Sequence, residues 1–261
     1  MTHPAYGALR PVTPLASVLL ADNPSPMTLE GTNSWVLRAP GVEECVVVDP
    51  GDDDLAHLER VAAQGPVALV LLTHRHHDHA GGARRFSELT GAPVRALDGS
   101  LVLGSEALGE GEVVAAAGVE LRVVATPGHT SDSVSFLLSG PGTAEVVLTG
   151  DTILGRGSTV IAHPDGALGP YLDSLHRLAD LAPGTAVLPG HGPELPDASA
   201  AALAYLAHRE QRLEQVRDAI STLGPGATAR QVVELVYADV DQSLWPAAEW
   251  SVRAQLEFLR A

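Results

Sequence analysis

The sequence predicts an α/β chain: two mixed β-sheets packed together, helices on the outside, and a helical appendage at the C-terminal end. Three observations carry this. The elements run β-β-α-β-α and then β-β-β-α-β, an order that two layered sheets accommodate. Strand after strand stops at a side chain able to hold a metal ion. After Pro196 the pattern changes to long, amphipathic, helix-favouring stretches.

Taken in order, residues 1–30 are Pro-rich and hold one short apolar run, 18–21. A turn-rich segment, 23–33, follows. Residues 34–38 and 45–49 read as antiparallel strands about a Pro-Gly turn. Asp49-Pro50-Gly51 closes the second, and Asp49 is placed either to orient a metal-binding histidine or to cap a turn. Residues 55–63 read as a helix and 67–72 as a buried strand. A helix over 83–89 and a short strand over 94–97 come next, and 98–112 read as loop. Strands are expected over 119–125, 133–138 and 146–149, a Gly-rich loop over 152–170, a helix over 171–181 and a strand over 186–188. The loop is too long for a plain connection, which marks it as functional. Helices are expected over 198–223, 228–236 and 247–259, with Thr228 an N-cap and Gly224-Pro225-Gly226 the stop between the first two. The domain boundary is set at 1–199 and 200–261.

Between the strand at 67–72 and the helix at 83–89 lies Thr73-His74-Arg75-His76-His77-Asp78-His79. His74, His76, Asp78 and His79 offer imidazole nitrogen and carboxylate oxygen, the donors that borderline cations such as zinc accept. Their spacing cannot present all four on one helical face, but a tight turn can aim them as two pairs at two neighbouring ions. Later strands end in Thr126-Pro127-Gly128-His129-Thr130, Gly150-Asp151 and Pro189-Gly190-His191-Gly192. Each ligand-capable residue there has a glycine beside it, which lets the backbone turn sharply.

Composition narrows the chemistry. The 261 residues include 16 arginines and no lysine, so lysine-based covalent chemistry and a phosphate-loop lysine are excluded. A net charge of −16 repels nucleic acid and anionic membranes unless arginines gather locally. Cys45 lies in an expected strand, where a lone cysteine serves as a small buried hydrophobe. No disulfide can form within the chain. No apolar run spans a bilayer and the first residues lack a secretory signal, so a soluble cytoplasmic protein is expected.

The four motifs, in this order and spacing, resemble the metallo-β-lactamase superfamily. The resemblance implies an αββα sandwich with a dinuclear metal site at one edge. It implies that His74, His76 and His129 hold one ion, that Asp78, His79 and His191 hold the other, and that Asp151 bridges them. A narrower likeness runs through Asn23 to Asn33, Asp151 to Thr159, Tyr171 to Leu175 and His208 to Arg212. These segments resemble the β-lactamase-like endoribonuclease group, which implies a winged-helix-like C-terminal appendage and action on single-stranded RNA.

The activity so implied is hydrolysis by two Zn2+ ions, Mn2+ or Fe being alternatives. They share a bridging hydroxide, with Asp78 orienting it or taking its proton. The substrate is a phosphodiester of single-stranded RNA or, alternatively, a small thioester, ester or lactone as for glyoxalase II. The narrower motifs favour RNA and the acidic charge favours the small molecule. Asn33, His163 and His208 are candidates for the substrate pocket, and the C-terminal helices for oligomer formation. His77 is expected outside the ligand set. His3, His57 and His176 are expected at the surface, and Trp35, Trp245 and Trp250 in the core or at domain contacts.

Overall fold

The computed structural model describes residues 3–260. One sheet has six strands in the order β1 (Leu9–Pro11), β2 (Ala16–Leu20), β3 (Asn33–Leu37), β4 (Cys45–Val48), β5 (Val67–Leu71) and β6 (Val94–Arg95). The other has five, in the spatial order β11 (Ala186–Pro189), β10 (Val146–Gly150), β9 (Val134–Ser139), β8 (Val119–Ala125) and β7 (Val113–Ala116). Both are mixed. β4, β5 and β6 are parallel, as are β10 and β11, and the remaining pairs are antiparallel.

Alternation along the strands builds three apolar layers. Val46 and Val48 of β4 face the second sheet, where they meet Leu121, Phe136 and Leu148. Cys45 and Val47 point the other way, onto Leu58 and Val61 of α1 (Leu55–Ala62) and Phe86 of α3 (Ala83–Thr90). On the far face of the second sheet, Leu137, Val147 and Val187 pack under α4 (Leu168–Ala179) and α5 (Ala198–Leu223). The layers are therefore helix, sheet, sheet, helix. Asp54 caps α1 by accepting from the Ala56 N–H, and Asp197 caps α5 by accepting from the Ala200 N–H.

α5 belongs to two cores. Ala202, Tyr205 and Leu213 lie in the layer under α4, whereas Val216 and Ala219 join Val232, Val233, Trp245 and Val252. The last four come from α6 (Ala229–Val236) and α7 (Trp245–Arg260), with Val232 and Val233 on α6. Thr228 and Gln231 close a reciprocal capping box on α6. The expected division between 199 and 200 falls inside the first turn of α5. Among the described residues no strand follows β11, and no helix is long and apolar enough to cross a membrane.

Three expectations need correction. Strands β1, β2 and β7 were not foreseen as strands; β1 is exposed along its whole length and so shows no alternation. His57 is buried at 2% exposure, with its Nε2 at 2.9 Å from Ser34 Oγ, because the helix α1 turns it under the sheet and not outward. Trp250 is 44% exposed, so it is no core residue, while Trp35 and Trp245 are buried.

Candidate metal centre

The strands of both sheets deliver their C-terminal loops to one place. β5 runs into Thr73 and His74, and the chain then turns into the short helix α2 (His77–Ala80), whose first turn holds Asp78 and His79. β8, β10 and β11 end just before His129, Asp151 and His191. All seven expected ligands converge. His74, His76 and His129 form one group, and Asp78, His79 and His191 another, with the donor atoms of each group within 4.8 Å of one another. His74, His79 and Asp151 satisfy the same limit, so the two groups are contiguous through Asp151. Its Oδ2 lies 3.6 Å from His129 Nε2 and 3.4 Å from His191 Nε2, and its Oδ1 lies 3.4 Å from His79 Nε2.

Two glycines make this approach feasible. At Gly128 φ is +139°, and a Cβ there would lie 2.3 Å from the Tyr171 backbone at the start of α4. At Gly190 a Cβ would lie 2.6 Å from Asp151 Oδ1 and 2.7 Å from His79 Cε1. Any larger residue would push between the two sides of the site.

The outward ring nitrogens of four of the five histidines, His74, His79, His129 and His191, are occupied. His79 Nδ1 donates to Asp49 Oδ2 at 2.8 Å, His129 Nδ1 to the Val160 carbonyl at 2.6 Å and His191 Nδ1 to the Gly31 carbonyl at 3.1 Å. The Thr73 hydroxyl donates to Asp49 at 2.6 Å, leaving its oxygen to accept from His74 Nδ1 at 3.0 Å. In the neutral ring this outer arrangement leaves Nε2 of each of these histidines directed inward with a lone pair. Asp49 thus supports two histidines at once and is no mere turn cap. Its own backbone sits at φ 53°, a conformation that Asp tolerates better than most residues.

Inward, the nitrogens crowd. His76 Nδ1 is 3.1 Å from His74 Nε2 and 3.0 Å from His129 Nε2, and His79 Nε2 is 3.2 Å from His191 Nε2. Asp151 Oδ1 is buried without a hydrogen-bond partner. Facing lone pairs and an orphaned carboxylate oxygen are what a cation resolves, so the donor set fits a metal pair.

The electrostatics of the two groups differ. Burial pushes His74 well below the ordinary imidazole value, lowers His76, and takes His129 down to about 4, so these rings are neutral at pH 7. Burial acts in the same direction on His79 and His191, but the carboxylates of Asp78 and Asp151 outweigh it. His79 is held well above its usual value and His191 rises to about 9. Burial raises Asp78, yet His79 and His191 overcome it and bring its carboxyl down to about 2.

The three pocket candidates separate. His208 lines a cavity of about 300 Å³ that opens on His129 and Asp151. His163 does not; its Nε2 pairs with Glu257 at 3.0 Å on the outer surface. Asn33 spends its amide on the Pro189 and Gly192 carbonyls, at 3.0 and 2.9 Å, and so anchors the loop that carries His191. His77 is exposed. Sequence reading missed Arg209. This buried arginine of α5 donates to the Thr159 carbonyl and stacks over Tyr171 at 5.0 Å. Thr159 Oγ1 in turn lies 3.2 Å from His129 Nδ1. A basic residue on the apolar face of a long helix was the available signal.

A family model for the metallo-β-lactamase superfamily matches residues 27–191. The chain belongs to the metallo-β-lactamase superfamily. A second model, the β-lactamase-associated winged helix domain, matches residues 228–261. Among metallo-β-lactamase relatives, the β-lactamase-like protein 2 homolog of Drosophila melanogaster is 32% identical, over 92% of this chain and 86% of its own length. The atrochrysone carboxyl ACP thioesterase of Aspergillus chevalieri is 30% identical, over 89% of this chain and 76% of its own. A hydroxyacylglutathione hydrolase of Pseudomonas putida is 37% identical, over 60% of each chain. The crystal structure of a β-lactamase domain protein from Burkholderia ambifaria superposes with a TM-score of 0.80 and 26% identity, covering 99% of this chain and 89% of that one. This metallo-β-lactamase-fold chain is a hydrolase, with a histidine–aspartate metal site and a winged-helix C-terminal part.

Proposed function

We propose that the chain is a dinuclear zinc hydrolase acting on a small-molecule thioester or ester. The observation that carries it is the convergence of seven inward-facing donors from both sheets on one buried centre. In this reading His74, His76 and His129 hold one ion, Asp78, His79 and His191 the other, and Asp151 lies between them. A bound pair of divalent ions supplies Lewis acidity and a water made acidic enough to attack at neutral pH.

The protein's own groups do the remaining work. Asp49, Thr73, and the Val160 and Gly31 carbonyls fix the ring orientations. Asp78 reaches the solvent side of the centre, with its side chain 24% exposed. Its carboxylate faces that side as a hydrogen-bond acceptor, placed to orient the attacking water. His208 and the buried Arg209 border the space a substrate would enter. The relatives named for thioesters support this substrate class, and the net charge of −16 disfavours a polyanion.

RNA remains a second reading, favoured by the segments Asn23 to Asn33 and His208 to Arg212. We place the division at 1–199 and 200–261, and assign any self-association to the C-terminal helices. Metal content and turnover of Asp151→Ala, on a panel of acyl thiols and single-stranded RNA, test the proposal. Loss of one ion and of activity is expected, and full activity with two ions bound would refute the bridging role. RNA cleavage that falls with salt, with no thioester turnover, would establish the second reading.

A further inference from the structure

The cavity at the centre is closed by four parts of the chain, one of them the 154–160 loop, whose Arg156 is paired with Glu30. Met27 and Leu29 come from the N-terminal loop, and His208, Arg209 and Arg212 from one side of α5. Tyr237, Val240, Leu244, Ala247 and Ala248 form the opposite wall. Its two characters are separate. The walls from the N-terminal loop and the C-terminal segment are almost wholly aliphatic. The α5 side is cationic, within a chain whose net charge is −16.

Two nitrogens on the α5 side are unpartnered, and the guanidinium N–H of Arg209 is a donor in any state. Arg209 is 3% exposed and its Nε has no hydrogen-bond partner, while its Nη2 is committed to Thr159. His208 Nδ1 is also buried without a partner. Arg212 gives Nη1 to Gln215 and to the Val236 carbonyl. No carboxylate other than Asp151 lines the cavity, so these cations are not neutralised within it. A buried donor without an acceptor is costly, and an oxyanion is the ligand that would satisfy it.

The same wall argues against a nucleobase. Tyr237 is the one ring there besides the histidines, and the Arg212 guanidinium lies over it at 4.6 Å. Neither phenylalanine nor tryptophan lines the cavity, so it lacks the aromatic platform on which single-stranded bases stack.

Resting on the hydrolase reading above, we infer that the substrate is an amphipathic acyl thioester. Its aliphatic body lies between Met27/Leu29 and Val240/Leu244, and a single anionic group is held by the Arg209–Arg212 side of α5. The anion is a carboxylate or a phosphate, and the choice between them is read from the probes.

The test uses zinc-loaded full-length protein and three N-acetylcysteamine thioesters: acetyl, octanoyl, and octanoyl whose far end carries the probe's one carboxylate. A phosphate-ended octanoyl thioester separates the two anions. The expected order of kcat/KM is anionic octanoyl, then octanoyl, then acetyl. Arg212→Gln should lower the preference for the anionic chain over the neutral one by about tenfold or more, mainly through KM. Leu244→Asn should lower the preference for octanoyl over acetyl. Arg217→Gln, on an exposed arginine outside the cavity, is the control. An acetyl thioester cleaved as well as the long chains, or an unchanged preference in Arg212→Gln, overturns the inference.

A binding arm separates this inference from the hydrolase reading. The thioether analogue of the anionic octanoyl probe has no bond to cleave, and its Kd is measured on metal-free protein. Binding that weakens about tenfold in Arg212→Gln supports the inference even if no thioester is turned over. Absent binding, or equal Kd for both proteins, overturns it even if some other thioester is hydrolysed.

Discussion

Asp49 shows how much of the centre depends on residues that would touch no ion. One carboxylate takes the Thr73 N–H at 2.8 Å, the Thr73 hydroxyl and His79 Nδ1, and through Thr73 it reaches His74. Asp49→Asn keeps the size and can keep the turn, but it presents a neutral acceptor. Zinc affinity should fall by about tenfold to a hundredfold, measured by chelator competition, with little change in fold. Unchanged affinity would mean that the histidines are oriented by packing alone. The sequence placed Asp49 correctly, at the end of a strand, but could not decide between support and turn-capping, since both use the same position.

His57 is the opposite case, a histidine expected at the surface and found beneath the sheet. Burial is the main cause that lowers it to about 4, with Asp54 opposing and Arg60 assisting. The unfolded chain holds the ordinary value of about 6.5, so it binds a proton first. Stability from keeping this ring neutral is full above pH 6.5 and is lost as pH falls toward 4. His57→Gln should therefore lose less stability than the parent between pH 7 and 4.5, by about 2 to 3 kcal/mol, in urea titrations at the two pH values. Equal losses would show that the proton is taken up elsewhere.

At the scale of elements, the motifs were more legible than the strands. The Thr-Pro-Gly-His-Thr turn was read as a strand end with a glycine needed for a sharp turn, and Gly128 has that role. Its neighbour was invisible to sequence: the glycine also admits the first turn of α4, because Tyr171 lies where a Cβ would be. Gly128→Ala should cost more than about 2 kcal/mol, seen as a lowered Tm, since it combines a positive φ with a clash against backbone. A Tm within a degree of the parent would mean that α4 can withdraw without penalty. The short helix α2 was missed because four residues carry too little periodicity, and three of them are polar. β7 was missed for a related reason. Val-Val-Ala-Ala has no polar alternation, and its pairing with β8 is decided by the turn at Ala117 and Gly118, both at positive φ.

Over the whole molecule, the helix–sheet–sheet–helix order followed from element order, and the choice of ligands followed from the family motifs. The link between the C-terminal helices and the centre followed only in part, through His208 in the narrower likeness, while Arg209 and the wall from Tyr237 to Ala248 did not. Four donors come after β5 in the first sheet, and three come after strands of the second. A bound ion pair would tie the sheets together. Saturating zinc at about a hundred times Kd should raise stability by about 2.7 kcal/mol over the chelated protein, read as a Tm increase. The same Tm with and without zinc would mean that no ion binds the native centre.

The continuity of α5 has its own consequence. Ala202, Tyr205 and Leu213 seat the helix on the catalytic layer, while Val216 and Ala219 seat its later turns in the C-terminal core. The helix is a drive shaft whose angular setting is shared by both ends. Adding one residue near position 206 would rotate everything downstream by about 100°. His208, Arg209 and Arg212 would then swing away from the catalytic mouth even if every helix survived. The length of this shaft, as much as any side chain on it, is a determinant of what the enzyme can grip.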